Sequence, residues 1–171
     1  MKSSIKRVTD SPVHLLHRAG QLAEDNFARL IGELGITARQ VAVLAAVAGL
    51  ENPSQTLLCR TTGIDRSTLA DIVQRLVSRG LLARRRTRDD ARTYAVRLTP
   101  EGEKILATAL PILERSSGTL LTPLTATEQE TFTRVVTQST GGSHACLKPT
   151  PSGGLFWLSL RALPLVRSAA L

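Results

Sequence analysis

Cysteine is scarce in this chain. Cys59 and Cys146 are the two among 171 residues, and they offer neither a disulfide framework nor the spacing of a metal finger. Cys59, within an apolar run, reads as a small buried hydrophobe. Long apolar runs are missing too: no stretch reaches the roughly 18 uninterrupted residues that a membrane span needs. Met1-Lys2-Ser3-Ser4-Ile5-Lys6-Arg7 is not followed by the apolar segment of a secretory leader, so the expectation is a cytoplasmic protein with no membrane partner. There is no Gly-rich phosphate loop, no carboxylate pair at useful spacing and no Ser/His/Asp set, which argues against an enzyme and against a cofactor. His14 and His17 stand three apart on a candidate helix, but no Cys, Asp or Glu at matching spacing completes a metal site.

Negative charge is scarce where positive charge is dense. The formal net charge is +8, and residues 60–99 hold ten arginines against four aspartates, a net of +6, with no lysine. The planar fork of arginine grips a phosphate or a guanine edge in a bidentate way that lysine cannot. A lone basic run is usually a solvated surface. The pattern around this one makes it a candidate for nucleic acid.

Gln55–Thr61 is a short apolar helix candidate and Thr62-Gly63-Ile64 a turn. Asp65 offers an N-cap to a helix from Arg66 to Arg79 that Gly80 ends. Leu69, Ile72, Val73, Leu76 and Val77 recur at steps of three and four, so one face of it is apolar. The other face shows Arg66, Ser67, Thr68, Asp71, Gln74 and Arg75, the short polar groups and arginines that a major groove requires. After Gly80 the pattern turns extended, with strands over Leu81–Arg86 and Thr93–Thr99 around a charged tip. The candidate DNA contacts are therefore Gln55, Arg66, Ser67, Thr68, Asp71, Gln74 and Arg75 on the helices, and Arg84, Arg86, Arg88 and Arg92 on the hairpin.

The run GIDRSTLADIVQRLVSRGLLARRRTRDDARTYAVRLTPEGEKI, with its Asp90-x-Arg92 and Leu98-Thr99-x-x-Gly102 signatures, resembles the MarR family of bacterial transcriptional regulators across residues 13–137. The resemblance implies a mainly α fold with a small β-hairpin wing: a winged helix-turn-helix domain plus a helical dimerisation region. It implies a homodimer on double-stranded DNA, at an inverted-repeat operator, released by a small effector such as an aromatic carboxylate or a phenol. Asp90 and Arg92 would pair to shape the wing, with Arg92 aimed at the minor groove. The family's effector pocket lies between the dimer helices and the reading head. His17, Arg18 and Arg39 are candidates to line it, because a cation or imidazole pairs with a carboxylate; surface or interface packing is the alternative for each. Oxidant-sensing members carry a cysteine near the N-terminus of the first helix, and this chain has none there.

Four segments follow from this. Residues 1–36 are an N-terminal dimerisation helix, with an apolar stripe at 13, 16, 20 (a glycine), 23, 27, 30 and 34 that makes one long helix from Val13 to about Leu34-Gly35. About 22 residues of helix span roughly 33 Å, more than a small domain's own core needs. Residues 37–99 are the winged helix-turn-helix domain. It opens with Thr37 capping a helix from Ala38 to about Leu50 that is apolar on nearly every side and so buried, and Ser54 caps the next helix. Residues 100–138 are C-terminal dimerisation helices, the first capped by Thr99, kinked at Pro111 and weakened at Ser116-Ser117-Gly118, the second running from Glu128 to about Gln138 with Thr125 or Thr127 as cap. Residues 139–171 are an atypical tail, rich in Gly, Ser and Pro and free of acids. It reads as a linker and a helix that buries Trp157; a frame-shifted end is the other reading.

Two function classes compete. One is a ligand-responsive, sequence-specific repressor; the other is a winged-helix module for protein assembly whose arginines hold an acidic partner. The short polar groups between Arg66 and Arg75 favour the first, since they suit base edges.

Overall fold

The computed structural model describes residues 2–86 and 94–140, with the backbone alone for residues 2–4, Arg85, Arg86 and Tyr94. The expectations placed on Arg88, Asp90, Arg92, Cys146 and Trp157, and on the tail from residue 141, lie outside the described residues.

The described chain forms α1 (Lys2–Thr9), α2 (Pro12–Ile31), a 3-10 turn (Gly32–Leu34), α3 (Ala38–Gly49), α4 (Gln55–Thr62), α5 (Arg66–Ser78), β1 (Leu82–Arg86), β2 (Tyr94–Leu98), α6 (Pro100–Leu121) and α7 (Ala126–Ser139). The helices begin where side chains satisfy orphan amides. Thr37 and Gln40 form a capping box, with Gln40 N donating to Thr37 Oγ1 at 3.2 Å and Thr37 N to Gln40 Oε1 at 3.0 Å. Ser54 Oγ accepts from Leu57 N at 3.2 Å. At α7 the cap is Thr125, whose amide donates to the Glu128 carboxylate at 2.8 Å.

Helix α3 occupies the centre. Val41, Val43 and Leu44 are fully buried in it, and it packs against α2, α4, α5, α6 and β2. Phe27 and Ile31 of α2, Leu58 of α4, Leu69, Val73 and Leu76 of α5, and Leu106 and Ala109 of α6 close around it as one cluster. The hairpin is antiparallel, with Leu82 opposite Leu98, Arg84 opposite Val96 and Arg86 opposite Tyr94. Among the described residues no single helix is long and apolar enough to cross a membrane.

Three local readings need correction. The first long helix stops at Ile31 rather than near Leu34, because Gly32 and then Gly35 turn to positive φ of 57°. Residues Pro100–Leu121 form one continuous 22-residue helix, so the weak turn at Ser116-Ser117-Gly118 does not end it. Pro111 is exposed, and the hydroxyls of Ser117 and Thr119 donate to the carbonyls of Leu113 and Arg115 within that helix. Cys59 is half-buried against the core rather than enclosed by it.

The joint between α5, the hairpin and α6 is tight. Gly80, at φ 71°, lets the chain leave α5 with Gly80 N donating to Val77 O and Leu81 N to Leu76 O, both at 2.9 Å, which is a Schellman closure. Thr99 then reaches across from the end of β2. Its amide donates to Leu81 O at 3.1 Å, its hydroxyl to Gly80 O at 2.7 Å, and the same oxygen accepts from Gly102 N at 3.0 Å to cap α6. Gly102 sits so close that an added Cβ would lie 2.1 Å from Leu81 O. Gly102→Ala therefore lowers the stability of the protein by about 3 kcal/mol through forced backbone displacement. Gly118→Ala, where a Cβ meets nothing within 4 Å in the chain, raises it by about 0.5–1 kcal/mol. Denaturant unfolding of both variants checks the pair, and equal effects would refute the close approach.

Candidate nucleic-acid interface

Helix α5 carries one buried face and one open face. Leu69, Ile72, Val73 and Leu76 are buried, while Arg66, Ser67, Asp71, Gln74 and Arg75 are exposed and Thr68 is half-buried. The helix starts at Asp65, whose Oδ1 accepts from Thr68 N at 2.9 Å and from Ser67 Oγ at 2.6 Å. Those bonds, the Ser67 hydroxyl first, hold the Asp65 carboxyl well below the usual carboxylate range. Ser67 thus has its proton committed to the cap. Gln55, on the first turn of α4, is half-buried.

Among the described residues, two arginines from the basic run make specific bonds inside the fold. Arg84, exposed on β1, donates from Nη2 to Gln74 Oε1 at 2.6 Å. Arg79, at the end of α5, donates from Nη1 to Gly35 O at 2.6 Å and from Nη2 to Leu34 O at 3.0 Å. It ties the foot of α5 to the joint between α2 and α3. Sequence reading counts Arg79 only as charge, since its partners lie more than forty positions earlier. Arg84 stands two residues after Leu82 on the same face of the strand, but nothing in the sequence points from there to Gln74.

Two cavities open beside these elements. One, of about 640 Å³, is lined by Glu24, Phe27 and Ile31 of α2, by Gly35–Thr37, and by Arg39. The other, of about 510 Å³, lies between Ala38, Arg39 and Ala42 of α3, the Thr62–Asp65 turn with Thr68, and Leu113 of α6. Arg39 lines both and pairs with Glu24 at 3.2 Å, an exposed ion pair of little energetic weight. His17 and Arg18 line neither of these two cavities. The reason is distance along the helix: His17 is seven residues before Glu24, roughly 10 Å of rise. Among the described residues no cluster of His, Cys, Asp and Glu could hold a metal.

The comparisons with known proteins agree with this architecture. The sequence model of the MarR family matches residues 34–93. The transcriptional regulator HosA of Escherichia coli O157:H7 is 38% identical over 121 residues, covering 70% of this chain and 90% of that protein. The solved structure of the PcaV transcriptional regulator from Streptomyces coelicolor with its natural ligand superposes with a TM-score of 0.73 at 31% identity, over 80% of this chain and 96% of that one. A structure of Bordetella bronchiseptica BpsR, which concerns regulation of its DNA binding by 6-hydroxynicotinic acid, gives 0.73 at 27% identity over 77% and 94%.

The cap sets a pH signature. A carboxylate whose pKa is depressed on folding stabilises the fold above its unfolded pKa and ceases to as pH falls through the folded value. Asp65→Ala should lower the melting temperature at neutral pH, and the gap to the parent should narrow once pH drops below the ordinary aspartate value of 3.8. Thermal unfolding from about pH 7 down to about pH 3 measures this, and a gap that stays constant removes the carboxylate as its cause.

Proposed function

The chain belongs to the MarR family of transcriptional regulators, and from that premise we propose a sequence-specific repressor. It works in the cytoplasm as a homodimer, reads an inverted-repeat operator and is released by a small aromatic acid or phenol. The observation that carries the reading is the open face of α5. Arg66, Asp71, Gln74 and Arg75 stand exposed on a helix whose opposite face is locked into the core and whose N-terminus is capped, the presentation that a major groove accepts. In this reading residues 37–99 are the DNA-binding domain, and 1–36 with 100–138 are the dimerisation region.

Exposed apolar side chains support the dimer. Val13, Leu15, Leu16, Leu22 and Leu30 on α2, with Phe132 and Val135 on α7, are 38–64% exposed in the single chain, and a second copy would cover them. Two α5 helices set roughly 34 Å apart would then enter successive major grooves. For the effector, the regulation of BpsR by 6-hydroxynicotinic acid supports an aromatic acid. The cavity between α3, the α4–α5 turn and α6 supplies Arg39 as a cation and borders the first turn of α5.

Titration of DNA binding against salt tests the reading of DNA. Arg88→Ala or Arg92→Ala should weaken binding to every duplex by a similar factor and reduce the salt slope by about one unit, whereas Arg75→Ala should change which sequence is preferred. Identical, uniform losses would place the reading face elsewhere, and a preference for acidic proteins over duplex DNA would favour an assembly module.

Effector and operator must also oppose one another. A coupling of about 1–3 kcal/mol lowers operator affinity roughly 5- to 150-fold, and saturating operator weakens effector binding by the same factor. Arg39→Ala should blunt that response to an aromatic acid while leaving operator affinity close to that of the parent. Calorimetry with and without operator decides it, and equal effector affinities would exclude release by this route.

A further inference from the structure

Among the described residues, α5 and the hairpin are joined by one side-chain hydrogen bond, from Arg84 Nη2 to Gln74 Oε1 at 2.6 Å. The backbone explains the meeting. Alternate residues of a strand share a face, so Arg84 continues the row begun by Leu82, which is buried, and stands opposite Val96, also buried. It emerges where that core-facing row reaches solvent, next to α5, which packs on β1. Gln74 waits there on the open face of α5, one residue from Arg75 and three from Asp71.

A glutamine amide has an accepting end and a donating end, and a free one can turn either toward a base. Arginine has donors and no acceptor, so only Oε1 can face Arg84. The bond therefore fixes the amide, oxygen toward the hairpin and Nε2 away from it. We infer that Arg84 is a positioning residue for sequence readout, which holds Gln74 so that it meets the major groove as a donor. A donor there favours base edges that accept, N7 and O6 of guanine or O4 of thymine, and disfavours cytosine, whose edge donates from N4. Arg84 is thereby set apart from arginines that grip phosphate without regard to sequence. This inference rests on the reading of α5 as the DNA-recognition helix.

Selection of the full-length protein and its variants on a random duplex library yields the base preference at each position. Arg84→Ala is expected to flatten the preference at one base pair per half-site, by about three- to tenfold, and at the same base pair as Gln74→Ala, with the other positions unchanged. Arg84→Lys, which still donates to Oε1, keeps the preference. Gln74→Glu still accepts from Arg84 but has lost its donor, and it moves the preference at that pair to cytosine at lower overall affinity. Uniform weakening by Arg84→Ala, or a loss at a position other than the one set by Gln74, overturns the positioning role and leaves α5 as the reading helix. A parent profile with no preferred sequence overturns the reading function itself, and the positioning with it. Thermal unfolding of each variant, run alongside, keeps a folding defect from imitating a loss of binding.

Discussion

The carbonyl of Leu81 is the point on which the orientation of α5 and the hairpin depends. It lies one residue past the glycine that ends α5, accepts from the amide of Thr99, and is approached by the Cα of Gly102 so closely that no side chain could stand there. Three elements meet at that atom: the end of α5, the return of the hairpin and the first turn of α6. Each has lost independent freedom, because a buried or half-buried carbonyl keeps its partners or incurs the cost of desolvation. The Thr99 hydroxyl completes the arrangement by bonding back to Gly80 while capping α6. Hence α5 cannot tilt on the long helix α6 without breaking bonds on both.

A second tie acts at the same end of α5 but pulls toward the N-terminal helix. The Arg79 guanidinium holds the carbonyls of Leu34 and Gly35, the residues that turn the chain from α2 into α3. Charge-assisted bonds of this kind are among the stronger ones available at a surface. Gly35 also lines the larger cavity, together with Ile31, Gly32 and Ile36. The wall of that cavity and the foot of α5 thus share a residue, and displacement of one is felt by the other through a single guanidinium. Position in the fold, more than proximity to DNA, gives Arg79 its role.

How much of this is legible in the sequence depends on how far each partner lies along the chain. Thr37, Ser54, Asp65 and Thr99 are readable as caps because a cap acts on amides two or three residues away. The burial of α3 is readable because Val41, Val43, Leu44 and Val47 leave it no polar face. The open face of α5 follows from its 3.6-residue period in the same way. Gly102 is different. Its place in a signature is visible, but the reason lies in a carbonyl twenty-one residues earlier that only the folded joint brings near. Arg79 and Arg84 illustrate the same limit, since in the chain they are two among ten arginines, and only the fold shows that one holds a helix joint and the other a glutamine. His17 and Arg18 share a helix with the cavity wall but not its turn.

The apolar stripe of α2 has both buried and exposed members. Single exposed hydrophobes need no explanation, yet those of α2 recur at helical steps. Phe27, 2% exposed, and Leu34, half-buried, belong to the stripe and enter the chain's own core, while Val13 and Leu16 of the same stripe are 64% and 54% exposed. Exposed members run along the whole stripe, since Leu30, three residues past Phe27, is 40% exposed, whereas burial in the chain's own core begins only at Phe27. A rigid helix transmits rotation from one part to the other. Whatever covers Val13 and Leu16 thus constrains Phe27, and Phe27 lines the cavity whose far wall Arg79 ties to α5. The cavity and α5 are thus joined in one mechanical chain that begins on α2.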